Sequence, residues 1–259
     1  MYDSTRSAYS ELRNGQGGSA KEWIDMKRCM IVSGTPDAGE LPVTKDEYVI
    51  ACDAGVGHAL KAGIRPDLLV GDFDTYTETL PEGTPVLRAP AEKDDTDTMM
   101  AVRYALEQGF ERIRICAALG GRLDHSIGNL SAAAYVAERL GNCYVYGARE
   151  TAILLYNSSV LLRNHEICGN GKAETAIGVN REQESTVLPA GSGKQKKKFV
   201  SVFSWTDEAR GVSYRGLKYP LSDATLTRAF ALGISNEFAE EEAEISVKDG
   251  MLLIVIASD

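Results

Sequence analysis

The sequence predicts an α/β fold, with a mostly parallel, Rossmann-like sheet flanked by helices, followed by an all-β sandwich domain. Short apolar runs alternate with helical patterns as far as about residue 148, which is typical of βαβ units. After Arg149 the apolar runs continue, but no long helical period is found. The expected division is a loose N-terminal extension at 1–25, an α/β domain at 26–148 and a β-sandwich at 149–259, with a polar insertion at about 164–198.

The first half is expected to contain six strands and three helices. The predicted strands are Cys29–Ser33, Tyr48–Cys52, Leu68–Val70, Pro85–Arg88, Ile113–Leu119 and Cys143–Tyr146. A short helix over Val56–Ala62 ends at Gly63. Thr96 is a suitable N-cap for a second helix, which runs to about Gln108. A third helix is expected to begin at Asp124 or Ser126 and to end near Leu140.

The second half is expected to be built from strands alone. They are predicted at Ile153–Tyr156, Val160–Leu162, Phe199–Phe203, Val212–Tyr214, Ala243–Val247 and Leu252–Ile256. The tripeptide at 248–250 (Lys-Asp-Gly) predicts a hairpin turn between the last two strands. The run Lys194–Lys198 lies in the polar insertion, and we interpret its lysines as a solvated surface rather than a binding site.

Composition excludes several classes of protein. The 259 residues are 44% hydrophobic, enough for a sizeable core. Acidic residues outnumber basic ones by 37 to 28, which argues against nucleic-acid binding. No apolar run reaches the length of a membrane span. The five cysteines are scattered without a CxxC pair, and we expect them to be reduced, in a cytoplasmic protein.

The most informative feature is a spaced set of four aspartates. Asp53 follows one predicted strand, Asp72 and Asp74 follow the next, and Asp97 opens the second helix. The carboxyl ends of parallel strands meet at the ligand-binding edge of an open sheet. Clustered carboxylates repel one another unless a cation neutralises them, and Mg²⁺ prefers oxygen ligands. The pattern therefore predicts a magnesium-dependent enzyme that acts on phosphate groups.

Each local motif also has a simpler interpretation. The GDFD segment at 71–74 is compatible with a turn in which aspartates bond their own backbone. A strand followed by DxD also begins the haloacid-dehalogenase phosphatase motif, but Tyr76 occupies the position where that motif has Thr or Val. Asp97 next to Thr96 is ordinary chemistry for a helix N-terminus. These alternatives remain open on the local residues alone.

A glycine-rich turn, GGRLDH at 120–125, lies between the fifth predicted strand and the third helix. Exposed backbone N–H groups at a helix N-terminus favour an anion, and Arg122 can clamp phosphate oxygens. His125 is equally compatible with a supporting structural role. No GxxxxGK[ST] loop is present, so a Walker-type ATPase is excluded.

Taken in order, six segments of the chain resemble the thiamine pyrophosphokinase family. They are ACDAG at 51–55, PDLLVGDFDT at 66–75, KDDTD at 93–97, GRLDH at 121–125, GLKYPL at 216–221 and SNE at 235–237. The resemblance runs from about Met26 to the C-terminus. Ala54 replaces a commoner glycine of the family, and the insertion and the N-terminal extension have no counterpart that we can place.

The resemblance implies an ATP-dependent pyrophosphoryl transfer to the hydroxyl of thiamine, which releases AMP, in a homodimer with active sites at the interface. It implies that Asp72, Asp74 and Asp97 hold Mg²⁺. The nucleotide-binding residues that it implies are Asp53, Lys93, Thr96, Gly121, Arg122, Asp124 and His125. Tyr219, Ser235 and Asn236 are implied to bind thiamine.

The catalytic residues expected from these motifs are Asp72, Asp97 and Arg122. We expect Asp72 or Asp97 to take the proton of the attacking hydroxyl, and Arg122 to act on the phosphates. Two other functions are alternatives at this stage. One is another metal-dependent phosphotransferase or phosphatase, and the other is a non-catalytic protein that binds thiamine or a nucleotide.

Overall fold

The computed structural model describes residues 28–41, 47–74, 76, 78–88, 95–164, 185–187 and 197–258. Within these residues lie three helices, α1 (Gly55–Lys61), α2 (Asp97–Glu107) and α3 (Leu123–Leu140). The first strands are β1 (Arg28–Val32), β2 (Tyr48–Cys52), β3 (Leu68–Val70), β4 (Val86–Leu87), β5 (Arg112–Leu119), β6 (Asn142–Gly147), β7 (Glu150–Tyr156) and β8 (Ser159–Arg163). The others are β9 (Ser185–Val187), β10 (Lys198–Ser204), β11 (Glu208–Arg215), β12 (Leu221–Thr227), β13 (Gly233–Glu237), β14 (Glu242–Ser246) and β15 (Met251–Ser258).

The first six strands pair in parallel, in the order β6-β5-β1-β2-β3-β4. Helices cover both faces, as predicted. Ile31 and Ile50 share a core with α2 and α3 on one face, while Val56 of α1 packs with Ala51 and Leu69 on the other. Successive residues of a strand point to opposite faces, so these doubly covered strands are apolar throughout.

The sheet continues beyond the parallel strands that the helices cover. β7 pairs antiparallel with β6, and β15, β10 and β13 follow it, so one sheet has ten strands. The domain boundary predicted at 148/149 therefore falls between two hydrogen-bonded neighbours of one sheet. The division into 26–148 and 149–259 stays a prediction.

A second sheet, in the order β12-β11-β14-β8-β9, completes a β-sandwich. Its inward residues Leu162, Val212 and Ile245 share a core with Leu155 and Ile254 of the long sheet. The fold class predicted from the sequence, α/β followed by a β-sandwich, is confirmed. No helix among the described residues is both long and apolar enough to cross a membrane.

Three strands were missing from the sequence prediction. β12 (LSDATLT) and β13 (GISNE) are rich in polar residues and largely exposed, so neither has the apolar run that indicates a strand. β9 lies inside the predicted polar insertion and pairs in parallel with β8. At the end of that insertion, Lys197 forms an ion pair with Glu237 (2.9 Å), so this lysine is not simply solvated. Lys194 and its neighbours to 196 lie outside the described residues.

A buried ion pair joins strand β5 to the residue that directly precedes strand β2. Arg114 of β5 and Glu47, which directly precedes β2, have side chains that are 1% and 3% exposed. The Arg114 Nε donates to Glu47 Oε1 at 2.8 Å, and a second nitrogen contacts the other carboxylate oxygen. Two charges withdrawn from water in this way are tolerable only as a pair.

We expect Glu47→Gln to lower the free energy of unfolding by about 3–5 kcal/mol, because it leaves the Arg114 charge buried without compensation. The matched control is Glu242→Gln, which breaks the exposed ion pair with Arg163 and should cost less than about 1 kcal/mol. Urea denaturation of both variants measures the difference. Equal losses would show that the buried pair has no special structural role.

Candidate active site

The carboxyl ends of four parallel strands form one edge of the sheet, and the segments that follow them surround a cavity of about 680 Å³. Ser33 follows β1, Asp53 follows β2 and Gly120 follows β5. Six of the predicted site residues line this cavity: Asp53, Thr96, Asp97, Arg122, Asp124 and His125. Motifs that lie as far apart in sequence as Asp53 and His125 thus meet at one place, as the open-sheet rule predicts.

Three carboxylates form a compact cluster beside this cavity. Oxygen atoms of Asp53, Asp72 and Asp74 all lie within 4.8 Å of one another. The strand-end pattern predicts that all four aspartates meet, while the family resemblance implies Asp72, Asp74 and Asp97 as the Mg²⁺ ligands and Asp53 as a nucleotide-binding residue. In the structure Asp53 is the residue that clusters with Asp72 and Asp74, and the roles of all four as metal ligands stay predictions.

The Asp53 carboxylate is held by an unusual backbone arrangement. Its Oδ1 accepts a hydrogen bond from the Phe73 amide at 3.1 Å. Both residues have positive φ, 46° for Asp53 and 62° for Phe73, and such a conformation is rare and costly for an aromatic residue. Gly71, at φ 141°, leaves the space that the carboxylate occupies, because a Cβ there would lie 2.7 Å from Asp53 Oδ1.

The electrostatics of the cluster fit a divalent cation. Burial raises the pKa of Asp53, and the negative charge of Asp97 raises it further, followed by those of Asp72 and Asp74. The Phe73 N–H opposes this increase in pKa. The charges of neighbouring carboxylates disfavour the ionised form of Asp53, and a cation bound among them would stabilise that form. Carboxylate oxygens are also the hard donors that Mg²⁺ prefers.

The simpler interpretation of the GDFD segment is also realised. The Asp74 N–H donates to Asp72 Oδ1 at 3.3 Å, which is the local bond of an Asx turn. Both side chains are exposed. Each carboxylate keeps an oxygen that is not used by this bond, so the turn orients the pair without consuming it.

Residues at the start of α2 cap the helix and also form part of the cavity wall. Thr96 Oγ1 accepts from the Met99 amide at 3.2 Å, as predicted for an N-cap. Asp97 lies in the first turn, where a negative charge is favourable, and the Cys52 thiol donates to its carbonyl oxygen at 3.7 Å. Lys93, predicted to bind the nucleotide, lies outside the described residues.

The glycine turn before α3 presents a charged pair to the cavity. Arg122 donates to both carboxylate oxygens of Asp124, with Nε to Oδ1 at 3.1 Å. Arg122 lowers the pKa of Asp124. Both side chains are more than 60% exposed, so a phosphate can compete for the guanidinium. Gly121 has φ 68° and faces Pro36, while the His125 amide donates to Asp124.

The floor of the cavity contains polar residues that the sequence analysis missed. Ser33, Thr98 and Asn129 are each less than 10% exposed and form one hydrogen-bonded group. The available signal was Asn129 itself, a polar residue on the alanine-rich inward face of α3. Polar side chains in such a position are expected to have a specific partner.

The three predicted thiamine-binding residues lie together, away from this cavity. Tyr219 is 61% exposed, and Asn236 on β13 is 4% exposed. Asn236 Oδ1 accepts from the Tyr219 amide at 3.0 Å, and its Nδ2 donates to the Tyr219 carbonyl at 2.8 Å. Ser235 has φ 56° and its amide donates to Ser201. None of these three described residues lines the cavity at the strand ends.

Comparison with known proteins decides the family. The family model described as thiamin pyrophosphokinase, catalytic domain, matches residues 41–145, and the one described as thiamin pyrophosphokinase, vitamin B1 binding domain, matches residues 177–252. The chain belongs to the thiamine pyrophosphokinase family. The first model covers the carboxylate cluster and the GGRLDH turn, and the second covers Tyr219, Ser235 and Asn236.

Individual members of the thiamine pyrophosphokinase family are similar over almost the whole chain. The thiamine pyrophosphokinase of Bacillus subtilis is 28% identical over 247 residues, which are 90% of this chain and all of that protein. A crystal structure of the enzyme from that organism has a TM-score of 0.71 at 24% identity, covering 90% of this chain and all of the other. The thiamin pyrophosphokinase structure from Geobacillus thermodenitrificans has a TM-score of 0.67 at 25% identity, covering 90% and 98%.

We expect Gly71→Ala to lower turnover by at least about 100-fold, because the new methyl group would displace the Asp53 carboxylate from the cluster. The control is Gly63→Ala, which also places a side chain at positive φ but meets nothing within 4 Å. Steady-state kinetics and thermal melting of both variants separate the two effects. Comparable activity of the two variants would exclude the proposed dependence on Asp53.

Proposed function

We propose that this chain catalyses the transfer of a pyrophosphoryl group from ATP to the hydroxyl of thiamine, which yields thiamine diphosphate and AMP. The observation that carries the proposal is the Asp53, Asp72 and Asp74 cluster beside the cavity, in a chain whose two family matches are a catalytic and a vitamin B1 binding domain. The phosphatase and the non-catalytic binding protein are disfavoured by the same family matches.

Asp53, Asp72 and Asp74 would hold Mg²⁺, with Asp97 next to them. The ion would supply charge neutralisation and Lewis-acid polarisation of the phosphates. Such an ion is needed because the described cavity wall carries Asp53, Asp95, Asp97 and Asp124 but only one arginine, so ATP would otherwise meet a negative surface.

The nucleotide would bind between α2 and α3. Arg122 would exchange its Asp124 partner for phosphate oxygens, and the amides near Gly121 and His125 at the start of α3 would add further donors. Thr96 lines the same cavity and would be an additional contact, and Lys93, which lies outside the described residues, is proposed as another on its residue type alone. This part of the proposal rests on the residue types and on the cavity that most of them line.

The transfer itself follows from the positions of charge. The thiamine hydroxyl oxygen forms a bond to the β-phosphorus while the bond from that phosphorus to the α,β-bridging oxygen breaks. AMP leaves with the electron pair, and the hydroxyl proton passes to Asp72 or Asp97. Such transfers depend mainly on positioning and charge stabilisation, which Arg122 would provide, and a positioned base contributes about 10²–10⁴-fold.

Thiamine would bind against Tyr219 and Ser235 at the interface of a homodimer, and Asn236 would contribute to this site by holding the Tyr219 backbone. The support for an interface is that Tyr219, Phe230, Leu232 and Ile234 are each more than half exposed. An apolar surface of this kind is characteristic of a contact region. We propose a reducing, cytoplasmic location because the described cysteines are buried and form no disulfide with one another: Cys29, Cys52, Cys116 and Cys143.

The function is tested by phosphorus NMR of the protein with thiamine, ATP and Mg²⁺. We expect AMP and thiamine diphosphate to accumulate in equal amounts, and Asp72→Asn to abolish turnover while thiamine binding is largely retained. ADP with thiamine monophosphate would instead indicate attack at the γ-phosphorus. If the Asp72→Asn variant turned over as fast as the wild-type protein in saturating Mg²⁺, the assignment of the metal site would be contradicted.

A second prediction concerns Asn236, whose amide is engaged with the Tyr219 backbone. We expect Asn236→Ala and Tyr219→Ala each to raise the KM for thiamine by about 2- to 30-fold, the range expected for aromatic stacking on a cation. The KM for ATP should change little. The double variant should be no worse than Tyr219→Ala, because Asn236 acts through Tyr219. Additive effects would indicate an independent contact, and Thr225→Ala on the exposed surface of β12 serves as the control.

A further inference from the structure

Asn129 is the buried polar residue of the cavity floor whose hydrogen-bonding capacity is incompletely used. It lies on α3, is 6% exposed and lines the cavity. Its Nδ2 donates to the Ala118 carbonyl at 2.9 Å and to Ser33 Oγ at 3.3 Å. Both hydrogens of the amide nitrogen are therefore engaged with the ends of β5 and β1.

The orientation of this amide is determined by its neighbours. A carbonyl oxygen such as that of Ala118 can only accept a hydrogen bond, so the nitrogen of Asn129 must face it. The Asn129 Oδ1 consequently points the other way, and it has no donor among the described protein groups. Because Asn129 lines the cavity and this oxygen is not a fully buried atom, a donor group of a ligand bound there can take the place of water as its partner.

We propose that Asn129 is a specificity-determining residue of the nucleotide site, whose side-chain oxygen accepts a hydrogen bond from the nucleoside part of the substrate. This inference rests on the proposed function. The phosphates of ATP carry only acceptor oxygens near neutral pH, so they cannot donate to the Asn129 oxygen, which instead suits a donor group. The donors of the nucleoside are the ribose hydroxyls and the exocyclic amine of the adenine base.

The position of Asn129 agrees with such a contact. It lies seven residues after Arg122, or about 10 Å along the helix at 1.5 Å per residue. A nucleotide whose phosphates contact Arg122 at the start of α3 can therefore extend its nucleoside towards the floor. Ser33 and Thr98 hold the amide in place through their mutual hydrogen bond of 3.2 Å, so the acceptor is fixed before binding.

The test is calorimetric titration with Mg²⁺ and four nucleotides in the absence of thiamine. The ligands are ATP, 2′-deoxy-ATP, 3′-deoxy-ATP and the purine riboside triphosphate that lacks the 6-amino group. Wild-type protein should bind one of the three analogues about 5- to 100-fold more weakly than ATP, the range expected when a buried acceptor loses its donor. Asn129→Leu should bind that analogue and ATP with nearly equal affinity, and the analogue that loses affinity identifies the donor.

Several outcomes would overturn the inference. Equal affinity of the wild-type protein for all four ligands would overturn it. A loss of affinity by one common factor for every ligand in Asn129→Leu would also overturn it, because a structural or metal-related role predicts such a uniform loss. Ser131→Ala, an exposed change on the same helix, is the control and should retain wild-type discrimination.

Folding is checked by thermal melting, with Asn129→Ser as a milder variant. If neither variant folds, the ¹⁵N–¹H resonances of the Asn129 side-chain amide decide in the wild-type protein. They should shift with ATP and not with the discriminated analogue, and equal shifts would overturn the inference. Product formation from ATP and thiamine is measured in the same preparation, so absence of turnover in wild-type protein identifies failure of the proposed function separately.

Discussion

The hydrogen bond from the Phe73 amide to the Asp53 carboxylate connects the ends of two neighbouring strands, and the candidate site depends on it. It brings the loops after β2 and β3 together, with Gly71 providing the necessary space. The parallel pairing of β2 with β3 and the hydrogen bond from the Asp53 amide to the Val70 carbonyl already place these loops side by side, and the Phe73 contact fixes the position of the Asp53 carboxylate. The positive φ of Asp53 and Phe73 is a local cost that the surrounding sheet and α1 must offset.

The long sheet determines how the two halves of the protein are related. Because β6 and β7 are adjacent antiparallel strands, the helix-covered parallel half and the sandwich share one continuous layer. The carboxylate cluster and Tyr219 nevertheless belong to different parts of the fold, and Tyr219 does not line the cavity. A second subunit that brings its own Tyr219 to this cavity would resolve the separation, which is consistent with the proposed homodimer.

Local sequence patterns predicted the structure correctly where a backbone feature requires a particular type of residue. Thr96 was predicted as an N-cap, and its hydroxyl accepts the Met99 amide. Every predicted strand of the parallel half was confirmed to within about one or two residues, because buried parallel strands are continuously apolar. Strands β12 and β13 were not predicted, because their exposed polar residues lack that signature, although β13 carries Ser235 and Asn236.

The sequence by itself determined the fold class, the family resemblance and most of the residues around the cavity, because motif order and strand ends are local properties of the chain. Only the tertiary structure decided that oxygens of Asp53, Asp72 and Asp74 lie within 4.8 Å of one another, that the Asn236 amide holds the Tyr219 backbone, and that Asn129 is fixed in the cavity wall by Ser33 and Ala118. These three features depend on distances between residues 17 to about 20 positions apart, or on hydrogen bonds to other strands. Such distances are set by packing of the whole sheet, so the sequence predicts that the aspartates converge but not which of their oxygens lie closest together.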